Sequence, residues 1–259
     1  MLKLDHISTP ALLLEKDGLI SLRRGSLHQL KNLNQLAELQ SSHSGSIAFV
    51  VPFCAAGENH MKVLGAEDIL GLAVEEEQTI SISEIDALTK TGDISFKQNL
   101  QPTLSDHDFA EGVKSIQQEE IAQGNACQVV FSRKFEGLLE AMSPLVPLTL
   151  FRRLLQQQGQ YITFLFSDGA GHYFVGASPE RQLEIHDENV IKNPIAGTMA
   201  KASPEKFVAQ LNSFLEDQKE INELSQILDE ELKIMSQICP RGGKILGPFL
   251  RESGAVVHT

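Results

Sequence analysis

The sequence is short of basic side chains and of long apolar runs. It has 22 Lys and Arg against 34 Asp and Glu, a formal charge of −12. A phosphate backbone or an anionic membrane surface is bound by a contiguous basic face, and no window of this sequence approaches the roughly 20 apolar residues that cross a bilayer. We therefore expect neither a nucleic-acid partner nor membrane insertion.

Cysteine is also scarce. The three cysteines, Cys54, Cys127 and Cys239, are odd in number and far apart, so they indicate neither a disulfide framework nor a paired metal clip. Residues 1–14 carry only a short apolar stretch with no basic run before it, unlike an export signal. The resulting expectation is a cytoplasmic protein.

The composition is that of a folded chain, and its patterns mix strands with helices. Hydrophobic residues make up 42% of the sequence, with 19 Gly and 10 Pro, which excludes disordered and collagen-like classes. Alternating or β-branched runs predict strands at 46–52, 68–74, 128–131, 161–166, 172–175, 182–186 and 189–192. Helical spacing is found at 106–122, 147–158 and 206–238. Together these predict an α+β fold with antiparallel hairpins.

A glycine-rich segment at 169–176 (GAGHYFVG) superficially resembles a phosphate-binding loop. Such loops join a strand to a helix N-terminus, whereas this one joins two strands. The segment therefore predicts a hairpin turn, for which Gly and Asp supply the positive φ angles.

Three acidic residues are candidates for chemistry. Glu180 follows Pro179 directly after a strand, where a partly desolvated carboxyl group can act as a general acid. Glu220 and Glu223 lie three apart on a predicted helix and could offer oxygen ligands to Mg²⁺. On the same helix Ile221, Leu224, Leu228, Leu232 and Met235 form an apolar stripe. By spacing alone, carboxylates of these kinds more often belong to a solvated surface than to a site.

Four segments together resemble the chorismate-utilising enzymes, the family of anthranilate, aminodeoxychorismate, isochorismate and salicylate synthases. In chain order they are QVVFSR (128–133), GASPE (176–180), NPIAGT (193–198) and KEINE (219–223). The resemblance covers residues 100–259 well and the first hundred loosely.

The resemblance implies a fold and a domain organisation. The fold is a sandwich of antiparallel sheets with outer helices. Residues 1–259 correspond to the N-terminal part of a single chorismate-binding catalytic domain, with a strand-rich subregion at 1–100 and the chorismate-binding core at 101–259. Family members continue past the region matching His258 with further metal-site glutamates, so the domain is expected to be incomplete at its C-terminus.

The resemblance also assigns roles to individual residues. Glu180 matches the general acid that protonates the departing hydroxyl of chorismate, and Glu220 and Glu223 match the first pair of Mg²⁺ ligands. The residues that match the substrate-lining positions are Ser178, Ala196, Gly197 and Thr198.

Gln128 separates the branches of the family. Members that add water to chorismate carry a lysine at this position as the base, whereas members that add ammonia carry an amide, as this chain does. Ammonia is already a nucleophile and needs positioning more than a strong base. Gln128 therefore favours amination.

The segments LDEELKIM (228–235) and NPIAGT resemble the 2-amino-2-deoxyisochorismate synthases of phenazine-type pathways. The implied activity is amination of chorismate, with Mg²⁺ as cofactor and ammonia from a glutamine amidotransferase domain or subunit. Three alternatives remain at this point: an anthranilate synthase large subunit that releases pyruvate, a catalytically inert truncated member, and a water-adding isochorismate synthase, which Gln128 disfavours. A homodimer is compatible with the sequence.

Overall fold

The computed structural model describes residues 1–59, 63, 65–90, 92–157 and 159–259. The strands there are β1 (Pro10–Lys16), β2 (Leu19–Leu30), β3 (Ile47–Val50), β4 (Ile69–Ile80), β5 (Phe96–Pro102), β6 (Phe135–Leu139), β7 (Ile162–Asp168), β8 (Tyr173–Ser178), β9 (Arg181–His186), β10 (Asn189–Asn193), β11 (Thr198–Ala200), β12 (Arg251–Ser253) and β13 (Val256–His258). The α-helices are α1 (Leu33–Ser42), α2 (Ile82–Thr89), α3 (Asp106–Ser115), α4 (Leu145–Leu155), α5 (Pro204–Glu216) and α6 (Gln218–Ile238). The α+β class is thereby confirmed.

The chain forms two compact units, each built from two segments. The first unit comprises Met1–Ile94 with Met142–Ser178, and the second comprises Ser95–Ala141 with Pro179–Thr259. This division differs from the sequence-based subregions 1–100 and 101–259, because β7 pairs with β1 and β8 pairs with β7, and these two strands complete the sheet of the first unit.

A six-stranded antiparallel sheet in the order β3-β4-β2-β1-β7-β8 forms the frame of the first unit. On one face, Leu13 of β1 pairs with Leu165 of β7 and packs with Phe151 of α4. On the other face, Leu12 packs with Phe166. Successive side chains of a strand point to opposite faces, so the apolar run in β1 is explained by burial on both sides.

The glycine-rich segment is a hairpin, as predicted. It connects β7 to β8, and Gly169 and Gly171 adopt φ angles of 76° and 95°. A β-carbon on Gly169 would lie 2.5 Å from Pro10 Cδ. Glycine is therefore required there both by the backbone angle and by the neighbouring proline.

The strand predicted at 128–131 is wrong, because residues 126–134 are irregular and the strand of this region is β6, paired with β5. The physical reason is side-chain docking onto α3. The Phe131 ring stacks on Phe109 with centroids 5.0 Å apart, and it occupies the space above Gly112. Arg133 covers the Phe109 ring as well.

The helices follow the predicted spacing with one exception. The segment 106–122 is α3 followed by a π-helical turn, Ile116–Ile121, and the helix predicted at 147–158 is α4, with Gln158 outside the described residues. The helix predicted at 206–238 is divided into α5 and α6. Asp217 is extended there, with ψ of 121°, and caps α6 by accepting a hydrogen bond from the Lys219 amide. Within the described ranges, none of the helices is long and apolar enough to cross a membrane.

Candidate active site

The three-stranded sheet of the second unit places Thr198 close to His258 and Arg251. In the order β11-β13-β12, Thr198 lies opposite His258, and His258 lies opposite Arg251. Thr198 Oγ1 and His258 Nδ1 share a hydrogen bond of 2.9 Å. Burial and the neighbouring Arg251 guanidinium lower the pKa of His258, which favours a neutral ring.

The predicted substrate-lining turn is tied to Thr259. The Ala196 amide donates to the Thr259 carbonyl at 2.8 Å, and the Thr259 amide donates back to the Gly197 carbonyl at 3.1 Å. The Gly197 amide donates to Thr259 Oγ1 at 3.0 Å. The backbone amides of Ala196 and Gly197, two of the predicted substrate-lining residues, are thus already hydrogen-bonded.

Gly197 lies directly against Glu220 of α6. A β-carbon at this position would come to 2.1 Å from Glu220 Oε2 and 2.8 Å from the Phe214 ring. Only a glycine lets the carboxylate approach the turn this closely. The structure therefore brings together the predicted residues Ala196, Gly197, Thr198 and Glu220.

The residues before and after Glu180 each form a hydrogen bond to another segment of the second unit. Arg251 donates from Nη1 to the Pro179 carbonyl at 3.1 Å. The next residue, Arg181, donates from Nε to Asn193 Oδ1 at 2.7 Å. Because Arg251 is also the ladder neighbour of His258, this contact connects the Glu180 segment to the three-stranded sheet.

Burial of the Glu180 side chain, reinforced by the nearby Glu231 carboxylate, raises its pKa, and the Lys192 ammonium offsets part of that rise. Lys192 of β10 forms an ion pair with Glu231 of α6, and their side chains retain only 8% and 18% of their exposure. Both charges of this enclosed pair therefore act on the half-buried Glu180 carboxyl group, in opposite directions.

The inward face of α6 differs from the apolar stripe predicted for it. Ile221, Leu228 and Leu232 are exposed. The less exposed positions of the helix are Glu220, Glu223, Leu224, Gln226, Ile227, Glu231 and Met235. Carboxylates are thus partly enclosed along this helix together with apolar side chains.

Glu220 and Glu223 share one cation, the ammonium group of Lys219. Lys219 Nζ lies 2.9 Å from Glu220 Oε1 and 2.6 Å from Glu223 Oε2. Hydrogen bonds to Glu223 and Glu220 raise the pKa of Lys219 to about 12. Glu220 Oε2 is buried and, among the described residues, has no hydrogen-bond partner. One carboxylate oxygen of the pair is therefore not satisfied by a hydrogen bond.

Two carboxylates with an orphaned buried oxygen fit Mg²⁺, which is often held by one or two carboxylates, with water and substrate oxygens completing the shell. Within the described parts of the chain, no group of three or more His, Cys, Asp or Glu side chains could hold a metal ion. A Mg²⁺ ion held by Glu220 and Glu223 would need further ligands, such as water or substrate oxygens.

Two predicted site residues lie apart from these contacts. Gln128 is exposed in the irregular segment of the second unit, and within the described ranges no hydrogen bond or ion pair joins its side chain to Glu180. Ser178 ends β8 in the first unit, where its carbonyl accepts from the Tyr161 amide at 2.7 Å. The roles assigned to both residues stay predictions.

Four members of these clusters were missed by sequence reasoning: Lys192, Glu231, Arg251 and His258. Two of them carried a signal. Lys192 is two residues from Val190 in a strand, and Glu231 is four residues from Ile227 in a helix, so period-two and helical spacing place each on an inward face. Arg251 and His258 carried none, because Pro179 and Thr198, to which they are hydrogen-bonded, lie 72 and 60 positions away in the sequence.

The site geometry can now be compared with known proteins. Residues 28–245 match the family of chorismate binding enzymes. The chain belongs to this family. The family expected from the four segments is thereby confirmed.

Two relatives within this family are described as "Anthranilate synthase, phenazine specific". The protein from Pseudomonas fluorescens is 33% identical over 93% of this chain and 38% of its own length. The protein from Pseudomonas chlororaphis is 34% identical over 81% of this chain and 33% of its own length. This chain thus spans less than two fifths of either relative.

A solved structure shows the same fold. The putative 2,3-dihydroxybenzoate-specific isochorismate synthase from Bacillus anthracis superposes with a TM-score of 0.71 and 17% identity, covering 97% of this chain and 66% of that one. At this identity the likeness establishes the fold and carries no information on the nucleophile.

Proposed function

We propose that this chain provides the site at which ammonia adds to C2 of chorismate with loss of the C4 hydroxyl, giving 2-amino-2-deoxyisochorismate. The observation that carries the proposal is the half-buried Glu180, whose pKa is raised by burial and by Glu231. A general acid must keep its proton near neutral pH until the leaving group needs it. Both relatives are named phenazine-specific anthranilate synthases, which supports a reaction that adds nitrogen to chorismate.

The reaction balances with one proton donor. The nitrogen lone pair forms the bond to C2, the two conjugated double bonds of the ring each shift by one position, and the C4–O bond breaks. Glu180 gives its proton to the departing oxygen, which leaves as water. The new ammonium group on the ring loses a proton, and this proton restores the acid form of Glu180.

The other residues bind and orient. Thr198, with its hydroxyl beside His258, would contact a substrate carboxylate. The Gln128 amide would position ammonia, a role that needs no strong base. Glu220 and Glu223 would hold Mg²⁺, which supplies charge neutralisation for a carboxylate of the substrate when it is bound. We further propose that a glutamine amidotransferase domain or subunit supplies ammonia and that the protein is cytoplasmic.

The test is product analysis with the 259-residue chain, chorismate, an ammonium salt and Mg²⁺. We expect an aminated product that retains the pyruvyl group. Anthranilate with free pyruvate would instead identify an anthranilate synthase, isochorismate would identify a water-adding enzyme, and no conversion would identify an inert member; each of these contradicts the proposal.

A matched pair of variants tests the acid itself. Glu180→Gln removes the proton donor but keeps the shape, so the rate should fall by about 10²- to 10⁴-fold. Glu188→Gln alters a carboxylate that is 89% exposed in the β9–β10 turn, and it should leave the rate unchanged. Equal rates for the two variants would rule out Glu180 as the acid.

A further inference from the structure

The predicted substrate-lining turn does not follow a regular ladder where it meets Thr259. Thr198 lies opposite His258 in the pairing of β11 with β13. Continued regularly, this ladder would let Gly197 and Thr259 exchange both of their backbone hydrogen bonds. Instead, the Thr259 amide donates to the Gly197 carbonyl at 3.1 Å, whereas the Thr259 main-chain oxygen accepts from the Ala196 amide at 2.8 Å. Two residues of the turn therefore face one residue of the other segment, which is the arrangement of a β-bulge.

This irregular pairing leaves the Gly197 amide without its regular acceptor. Gly197 is buried, and a buried amide that lacks a hydrogen bond destabilises the conformation that contains it. The side chain of Thr259 supplies the acceptor, because its Oγ1 accepts from the Gly197 amide at 3.0 Å. The hydroxyl group at position 259 thus satisfies the one amide that the bulge would otherwise leave unpaired.

The same glycine also lies against the Glu220 carboxylate. A β-carbon at Gly197 would lie 2.1 Å from Glu220 Oε2 and 2.8 Å from the Phe214 ring. The Phe214 ring is buried with Met199 and Val257, so the packing around it leaves little room for movement. The position of the turn therefore determines how closely Gly197 and the Glu220 carboxylate approach each other.

We propose that Thr259 is a positioning residue: its hydroxyl group holds the bulge, and through Gly197 it fixes the substrate-lining turn against the Glu220 carboxylate. The consequence for Mg²⁺ and chorismate rests on the proposed function. The hydrogen bond itself is a property of the free protein and can be measured without substrate or metal.

The first measurement is hydrogen exchange of the Gly197 amide, followed by NMR in the full 259-residue chain. Thr259→Val keeps the shape of the side chain but removes the acceptor, so the Gly197 amide should exchange about tenfold faster. Thr259→Ser keeps the hydroxyl group and should restore slow exchange. The Lys201 amide donates to the Ala255 carbonyl at 2.8 Å in the same sheet, and its exchange should be equally slow in all three proteins.

The second measurement follows the Glu220 side chain directly. In protein labelled with carbon-13 at the glutamate side-chain carboxyl carbon, the Glu220 signal is assigned by its loss in Glu220→Gln. This signal should shift in Thr259→Val and return in Thr259→Ser. Thr103→Val is the matched control, because it removes another threonine hydroxyl of the second unit, one that donates to the Lys134 carbonyl at 3.1 Å. It should change neither the Gly197 exchange nor the Glu220 signal.

The third measurement gives the catalytic consequence. With chorismate and an ammonium salt, Thr259→Val should raise the Mg²⁺ concentration needed for half-maximal conversion by about threefold to tenfold, because the turn no longer holds its place beside Glu220. Thr259→Ser should restore the original requirement. A residue that only stabilises the fold would not move the Mg²⁺ requirement of the folded fraction.

Faster Gly197 exchange in Thr259→Val, with rescue in Thr259→Ser, supports the proposal. Equal acceleration of the Gly197 and Lys201 amides would overturn it, because a merely structural residue loosens the whole sheet, and so would an unshifted Glu220 signal. If Thr259→Val fails to fold, the unsubstituted protein still decides: its Gly197 amide should exchange as slowly as that of Lys201, and rapid exchange would overturn the proposal.

The proposal and the proposed function can fail separately. If the exchange rates behave as expected but chorismate is not aminated, the positioning role of Thr259 stands and the proposed function fails. If chorismate is aminated but the Gly197 exchange is unchanged in Thr259→Val, the proposed function stands and the positioning role fails.

Discussion

Apolar side chains fill the first unit, whereas the second unit encloses charged ones around a much smaller apolar cluster. Leu13, Phe151 and Leu165 belong to the main core of the first unit. In the second unit the buried apolar cluster consists of Met199, Phe214 and Val257, and Lys192, Glu220 and Glu231 are also largely enclosed. Enclosed charges cost desolvation energy that an apolar core does not. The first unit thus holds most of the apolar core, and under the proposed function the second unit carries the chemistry.

The largest expected effect is on the stability of the first unit. Phe151→Ala removes a fully buried ring, and it should lower the free energy of unfolding by about 3–5 kcal/mol through lost burial and the cavity that remains. Urea unfolding measures this loss. Leu150→Ala is the control. Leu150 directly precedes Phe151 on the same helix and is 40% exposed, so its replacement should lower the free energy of unfolding far less. Similar losses for the two variants would contradict the assignment of the core.

A smaller effect, on function rather than stability, is expected at Gly197. An added β-carbon would meet Glu220 Oε2 at 2.1 Å, so Gly197→Ala must displace the carboxylate. We expect the Mg²⁺ concentration needed for half-maximal chorismate conversion to rise by roughly tenfold, about 1.4 kcal/mol in binding. Gly243→Ala is the control, because a β-carbon there meets no atom within 4 Å. An unchanged Mg²⁺ requirement in Gly197→Ala would separate Glu220 from the metal.

The sequence predicted elements that rest on local chemistry. The β7–β8 and β9–β10 hairpins form where turn residues separate alternating runs, because turn geometry is decided within a few residues. The family motifs picked out Gly197 and Glu220 separately, and the structure brings the two into contact. These features depend on short segments whose residue types have few alternatives.

Other features depended on contacts that no local pattern contains. The segment 128–131 has the composition of a strand, but Phe131 docks on Phe109 of α3 and holds the segment away from any sheet. The pairing of Thr198 with His258 joins residues 60 positions apart. Tertiary packing overrides propensity in such cases. The strand predicted at 128–131 is therefore wrong, and the residues near Glu180 were not predicted.

The smallest predicted effect compares two lysines on α6 that each bridge two carboxylates. Lys219 contacts Glu220 and Glu223, whose side chains are 17% and 21% exposed, and Lys233 contacts Asp229 and Glu230, which are 66% and 58% exposed. An ammonium group between two enclosed carboxylates competes with a divalent cation for the same oxygens, whereas water screens exposed charges.

Lys219→Met should therefore strengthen Mg²⁺ binding about threefold to tenfold at low salt. Lys233→Met should leave it unchanged, although both variants remove one positive charge from the same helix. Calorimetric titration of Mg²⁺ in the presence of chorismate measures both. Equal changes in the two variants would mean that net charge alone governs Mg²⁺ binding, and that the enclosure of Glu220 and Glu223 contributes nothing to it.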